Sequence, residues 1–227
     1  MGYSPLITET RPAHPNNYTK GRDGSKIWRI IIHHGATTNL DSIGATFQNP
    51  NRHGSAHYGV GGSRIVGYVE EQNGAWHCSD YWGNMGSIGI ENTNSATGGD
   101  WPISDETFDT LVKLVADIAK RNNLGWLKFE PDGYCPNLSA HRDWAATACP
   151  GDYLYRKMNE LADRANAINY PPEPAPEPEP TPTIEWVDTP ETTMKVKDGG
   201  ANLVNITTGA VVKTLGGGED FTYVQKT

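Results

Sequence analysis

Residues 26–33 read Lys26-Ile-Trp-Arg-Ile-Ile-Ile-His33, an almost unbroken run of β-branched and apolar side chains. Its length and composition predict a buried β-strand rather than a helix. Gly35 ends the run, so two histidines, His33 and His34, stand at the end of the predicted strand.

Further elements follow on the C-terminal side of this strand. Ser104 is suited to cap a helix, because Asp105 and Glu106 follow it in the first turn and apolar residues then recur at helical spacing. Short strands are predicted at 58–60, 64–69 and 87–91, and helices at 41–48, 105–121 and 153–168. Strands and helices mixed in this order indicate an α/β domain over residues 1–169.

A change in composition marks the end of that domain. Residues 170–183 contain proline at nearly every second position, with glutamates between, which predicts a stiff, extended linker. Four short strands are predicted beyond it, at 193–196, 201–206, 210–215 and 221–224. We therefore expect a small all-β module over 184–227.

Composition excludes several functions. The net charge of -8 gives no attraction to a phosphate backbone, so nucleic acid is not an expected partner. No apolar run is long enough for membrane insertion, and the first 25 residues contain no secretory leader pattern. Three cysteines do not make a disulfide scaffold; Cys78 and Cys135 are expected to be free thiols, although spacing leaves a bridge between them open.

A candidate metal site comes from residues far apart in the chain. A histidine at the end of the first strand, His141 and Cys149 would supply two nitrogens and one sulfur. Three protein ligands with one open position are typical of catalytic zinc, whereas structural zinc has four. Buried histidines and cysteines are also common as core residues, so the spacing alone does not fix the metal.

Five motifs in order resemble one known family. They are Ile30-Ile-Ile-His-His-Gly-Ala-Thr37, Ser55-Ala-His-Tyr-Gly59, Ala75-Trp-His77, Ser87-Ile-Gly-Ile-Glu91, and His141 followed by Cys149-Pro150-Gly151. Together they are similar to the zinc-dependent type 2 N-acetylmuramoyl-L-alanine amidases, whose fold peptidoglycan-recognition proteins and many phage lysins share. The resemblance covers about residues 20–165. It implies a mixed central β-sheet flanked by helices, peptidoglycan as substrate, and hydrolysis of the amide between N-acetylmuramic acid and L-alanine.

The resemblance also implies roles for individual residues. Carried over, the Zn²⁺ ligands are His33, His141 and Cys149, with His34 on the opposite face of its strand as a supporting or packing residue. Glu91 matches the carboxylate that acts as general acid and base.

This chain departs from one branch of the family at two positions. Thr147 stands where that branch has lysine, and Ala56 where it has tyrosine. The Thr147 hydroxyl is expected to donate to a developing oxyanion, and His57 or Tyr58 to cover the tyrosine's role. Substrate contacts are expected from His57, Tyr58, Trp76, His77 and Asn92. Tyr81 and Trp82 would add flat apolar surface beside Trp76, and Asn94 a further hydrogen bond to the stem peptide.

The arrangement of the segments resembles a phage endolysin with bacteriolytic activity. Residues 193–224 resemble the start of a bacterial SH3-type wall-binding module, and we expect this copy to be partial. The protein is then expected to be made in the host cytoplasm and to act on the cell wall. Two alternatives stay open: a non-catalytic peptidoglycan-binding protein on the same fold, and an interaction protein that restrains a polymerase.

Overall fold

The computed structural model describes residues 2–131, 136–172, 193–195, 200–204, 211–217 and 220–222. The chain divides into two compact units, Met1–Pro172 and Glu173–Thr227. Most of the predicted linker, and Cys135, lie outside the described residues. Within the described part, no helix combines the length and apolar character needed to cross a membrane.

Six strands form one mixed sheet in the first unit. Across the sheet they are β1 (Glu9–Thr10), β5 (Arg64–Gly67), β4 (Tyr58–Gly61), β7 (Ser87–Asn92), β3 (Arg29–His34) and β8 (Leu138–Ala140). Strands β4 and β5 are antiparallel and the other neighbours are parallel. A separate antiparallel pair joins β2 (Tyr18–Thr19) to β6 (Gly74–Ala75). The mixed central sheet is thus confirmed.

The described residues of this unit also form five α-helices: α1 (Leu40–Gln48), α2 (Tyr81–Gly86), α3 (Asp105–Arg121), α4 (Asp152–Arg156) and α5 (Met158–Asn169). Helix α3 has the predicted bounds, and the Ser104 hydroxyl accepts the Thr107 N–H at 3.2 Å. The single helix expected over 153–168 is instead two, since the chain turns at Lys157, whose N–H bonds back to the Leu154 carbonyl. The sequence did not predict α2.

The two faces of the sheet differ in character. Ile30 and Ile32 of β3 point into the main apolar core, which α3 and α5 complete. Because side chains alternate along a strand, Ile31 and His33 point to the other face. A smaller apolar cluster, containing Ile43 and Phe47 of α1, covers part of that second face.

A buried carboxylate ties the sheet to α3. Glu71 has no exposed surface, and it accepts hydrogen bonds from Arg121 Nη2 at 2.7 Å and from the Tyr58 hydroxyl at 2.6 Å. Burial alone would raise the pKa of Glu71, but these bonds outweigh it and the pKa is lowered. The network holds β4 against α3 on the core face.

The second unit contains two antiparallel strand pairs among its described residues. β9 (Thr193–Lys195) pairs with β12 (Asp220–Thr222), and β10 (Ala201–Val204) pairs with β11 (Val211–Leu215). All four overlap the predicted strands. The SH3-like identity of this module stays a prediction.

Candidate metal centre

Two histidines meet because they extend neighbouring strands. Strands β3 and β8 are parallel, with Ile32 opposite Ala140. One residue further along each strand are His33 and His141, and their ring centroids lie 4.6 Å apart. The spacing between these imidazoles is therefore set by the sheet.

A loop brings the third donor to the same place. It is closed by the Arg142 N–H, which donates to the Cys149 carbonyl at 3.0 Å. Cys149 Sγ lies 3.7 Å from His33 Nδ1 and accepts the His34 N–H at 3.4 Å. The donor atoms of His33, His141 and Cys149 all lie within 4.8 Å of one another.

These residues fit a zinc ion. Tetrahedral zinc with Zn–N of about 2.1 Å and Zn–S of about 2.3 Å separates nitrogen and sulfur by about 3.6 Å, close to the 3.7 Å between His33 Nδ1 and Cys149 Sγ. His141 Nε2 is buried and has no hydrogen-bond partner among the described residues, a condition that a metal ion would relieve. Three donors leave a fourth position for water or substrate.

The protonation states also suit a metal. Burial lowers the pKa of His33 and of His141, so both rings are neutral, as ligation requires. Burial, and then the nearby charge of Glu91, raises the pKa of the Cys149 thiol. A coordinated cation reverses that effect, because it deprotonates the thiol bound to it.

Glu91 lies beside this cluster on the same face of the sheet. It is opposite His33 in the register between β3 and β7. Its Oε2 atom is buried without a hydrogen-bond partner in the described structure. Burial raises the pKa of Glu91 to about 7, with Arg52 opposing the change. A carboxyl group with that pKa can both take and give a proton near neutral pH.

A cleft of about 470 Å³ opens next to the cluster. It is lined by Arg52, His53, Gly54, Trp76, His77, Ser79, Tyr81, Asn84 and His141. At its edge the Tyr81 and Trp82 rings stand exposed, with centroids 5.2 Å apart. Trp76 and His77 are thus in the wall of the cleft, as expected, and their contact with substrate stays a prediction.

Three predicted substrate contacts do not fit the structure. His57, Tyr58 and Asn92 have no exposed surface, and a side chain without exposed surface cannot touch a molecule in the cleft. His57 Nδ1 accepts the Gly89 N–H at 3.0 Å, and the Asn92 amide donates to the His33 carbonyl at 2.8 Å. Tyr58 belongs to the core on the opposite face. These residues support the sheet and the strand that carries His33.

Two other predicted positions are less central. His34 points away from the cluster: its Nδ1 lies 3.1 Å from Asn94 Oδ1 and its ring packs against Trp101. This is the opposite face that strand alternation predicts. Thr147 is exposed, and its hydroxyl accepts the Cys149 N–H at 3.2 Å, so its role towards an oxyanion stays a prediction.

Sequence reasoning missed the residues that hydrogen-bond to His77 and His57 and so hold these two rings in place next to the donor cluster. Ser87 Oγ lies 3.1 Å from His77 Nε2, and Arg22 Nη2 lies 2.8 Å from His57 Nε2. Asn84 Oδ1 accepts the N–H of His77 at 2.9 Å. The one available signal was Asp80, whose carboxylate caps α2 and so places Asn84.

The fold and the cluster define an α/β protein with a candidate three-donor metal site on one face of a mixed sheet. Residues 23–152 match the N-acetylmuramoyl-L-alanine amidase family, and the chain belongs to that family. A curated relative, the endolysin PlyTW of Staphylococcus phage Twort, is 29% identical over 142 residues, which cover 59% of this chain and 28% of that protein. The match therefore spans less than a third of that relative.

Solved structures share the fold. The Staphylococcus aureus hydrolase AmiA, determined in complex with its ligand, has a TM-score of 0.58 at 19% identity, covering 73% of this chain and 85% of that one. A mutant endolysin from Bacillus subtilis has a TM-score of 0.54 at 20% identity, covering 70% of this chain and 99% of that one. At these identities the likeness is one of fold.

Proposed function

We propose that this chain is a zinc-dependent N-acetylmuramoyl-L-alanine amidase. It hydrolyses the amide between the lactyl group of N-acetylmuramic acid and the first L-alanine of the stem peptide in bacterial peptidoglycan, and it serves as a phage endolysin on the host wall. The observation that carries the proposal is the convergence of His33, His141 and Cys149 within 4.8 Å. Family membership and the 29% identity to a phage endolysin support it.

His33, His141 and Cys149 would hold the zinc ion. When bound, zinc polarises the scissile carbonyl and lowers the pKa of the attacking water. The His34 N–H, 3.4 Å from Cys149 Sγ, stabilises the sulfur in its charged state. Three protein donors would leave one coordination position for water or substrate.

Glu91 moves the proton. Its carboxylate takes a proton from the attacking water as the new C–O bond forms, and returns it to the L-alanine nitrogen as the C–N bond breaks. The products are a carboxylic acid on the sugar and a free amine on the peptide. In the metal-free protein the pKa of Glu91 is about 7, so both its charged and its neutral form are populated near neutral pH, as a group that takes and returns a proton requires.

The cleft receives the substrate next to His141. Trp76 and Tyr81 line it and Trp82 is exposed at its edge, which gives flat apolar surfaces for a sugar or peptide. Thr147 donates its hydroxyl hydrogen to the developing oxyanion. The C-terminal module, on its proline-rich linker, keeps the enzyme close to an insoluble wall and raises its local concentration there.

The test compares two buried cysteines. Zinc content, loss of turbidity of purified walls, and release of N-terminal alanine are measured for the wild type, Cys149→Ala and the matched control Cys78→Ala. Cys78 is buried and free but lies outside the donor cluster. We expect about one zinc per chain in the wild type and the control, and loss of both zinc and alanine release in Cys149→Ala.

Each product identifies a different outcome. New reducing sugar ends without new alanine termini would show a glycosidase and refute the proposed bond. Alanine release that survives chelation and Cys149→Ala would refute the zinc mechanism. Wall binding with zinc but without hydrolysis would establish the non-catalytic alternative.

A further inference from the structure

His33 has its two ring nitrogens engaged on opposite sides. Nδ1 faces Cys149 Sγ at 3.7 Å, and Nε2 lies 3.0 Å from His77 Nδ1. The rings of His33 and His77 are almost perpendicular, at 89°, with centroids 5.0 Å apart. Both side chains are buried, so no bulk water competes for this contact.

A single assignment of protons satisfies the whole chain of contacts. If His33 offers the Nδ1 lone pair to a cation, its proton is on Nε2 and is donated to His77 Nδ1. His77 then carries its own proton on Nε2, which faces Ser87 Oγ at 3.1 Å. The Ser87 hydroxyl donates in turn to the Gly83 carbonyl at 2.5 Å.

The reverse assignment excludes metal ligation through Nδ1 and breaks one hydrogen bond. It would place a proton on His33 Nδ1, directed at Cys149 Sγ, and remove that nitrogen as a ligand. It would also turn the Ser87 hydroxyl towards His77 and leave the Gly83 carbonyl without this donor. The contacts therefore select the form of His33 that ligates through Nδ1.

The surrounding chain fixes His77 in place. A Cβ atom at Gly89 would come within 2.5 Å of His77 Cγ, so only glycine at this position of β7 leaves room for the ring. Asn84 Oδ1 accepts the His77 N–H at 2.9 Å. Strand β7 and helix α2 thus hold the ring between them.

We propose that His77 is a positioning residue for His33: it accepts the Nε2 proton of His33 and thereby fixes the tautomer and orientation that present Nδ1 to the metal. This rests on the proposed zinc site. The position of His77 in the cleft wall suggests a substrate contact instead. However, both of its ring nitrogens already have partners inside the protein, His33 and Ser87. Residues that orient a metal-ligating histidine typically contribute 10–100-fold in metal affinity.

Zinc affinity separates this role from substrate binding. The full chain is titrated with zinc against a chromophoric chelator as wild type, His77→Phe, His77→Asn and the control His14→Phe, which alters a histidine outside the cluster. His77→Phe keeps a ring but has no acceptor, and we expect it to lower zinc affinity about tenfold or more. His77→Asn keeps an acceptor oxygen near the position of Nδ1 and should recover most of the affinity. His14→Phe should match the wild type.

The tautomer of His33 gives a second readout that does not involve activity. Two-bond ¹H–¹⁵N correlation spectra of the zinc-free wild-type chain should show His33 protonated on Nε2, and those of His77→Phe a mixture of both forms. A wild-type His33 protonated on Nδ1 overturns the inference, even if His77→Phe does not fold. The inference is also overturned if a folded His77→Phe variant binds zinc as tightly as the wild type does.

These outcomes are distinct from failure of the proposed function. If the wild type binds zinc and releases alanine while His77→Phe binds zinc equally well, only the positioning role is lost. If the wild type binds no zinc, the metal mechanism itself is wrong.

Discussion

Replacing Glu91 by glutamine should stabilise the folded protein at pH 8 while it slows the release of alanine. Glutamine has nearly the same shape but cannot ionise. In the wild type, burial raises the pKa of Glu91 from 4.5 to about 7. Each unit of that difference corresponds to about 1.4 kcal/mol, so the charged carboxylate costs the metal-free folded state about 3 kcal/mol at most.

The sign follows from proton binding. Between pH 4.5 and 7 the folded state binds more protons at Glu91 than the unfolded chain does, so this residue lowers stability as the pH rises through that window. Below it the penalty is absent, and above it the penalty is complete. Relative to wild type, Glu91→Gln should therefore gain about 3 kcal/mol of unfolding free energy between pH 4 and pH 8.

Urea denaturation of both proteins with a chelator present, at pH 4 and pH 8, measures this gain. Glu130→Gln is the matched control, since Glu130 is exposed, and its effect should stay within about 0.5 kcal/mol at either pH. With zinc restored, Glu91→Gln should retain the metal and release alanine about 10²-fold more slowly. A stability difference that does not change between the two pH values would refute the raised pKa. Unchanged turnover would refute the role in proton transfer.

Three further substitutions test the surrounding structure. Arg121→Met leaves the buried Glu71 carboxylate without its cation and should cost about 3–5 kcal/mol in urea denaturation at pH 7; a loss below about 1 kcal/mol would contradict the buried pair. Gly89→Ala forces the His77 ring aside and should weaken zinc binding in the chelator titration; wild-type affinity would show that the ring has room to move. Ser104→Ala removes the cap of α3 and should lower unfolding free energy by about 1 kcal/mol, with zinc affinity unchanged.

Much of the fold was predictable because its main elements have strong local signals. The apolar run that becomes β3 and the capped, periodic segment that becomes α3 specify their own conformation. Helix α2 has neither signal, since its six residues include two glycines and it depends on the Asp80 cap and on packing. The break at Lys157 was equally hidden, because apolar residues continue at helical spacing on both sides of it.

The sequence indicated the three candidate metal ligands, but not the buried residues that hold them in place. His33, His141 and Cys149 carry chemistry that a sequence displays, and strand alternation separates His33 from His34. Burial of His57 and Asn92 depends on partners distant in the chain: Arg22 lies 35 residues before His57, and the His33 carbonyl 59 residues before Asn92. No local sequence pattern reveals such pairings, so residues within or next to the motifs were assigned to substrate binding.

His33 ends β3 and His141 directly follows β8, so the register of these two strands sets the distance between the imidazoles, whereas the sulfur of Cys149 lies on a loop. The centre thus has two anchored donors and one exchangeable donor. The metal preference of the site can therefore be redesigned at position 149 alone. Cys149→Asp would favour a harder ion and Cys149→His would give three nitrogen ligands, while the register of the sheet stays the same.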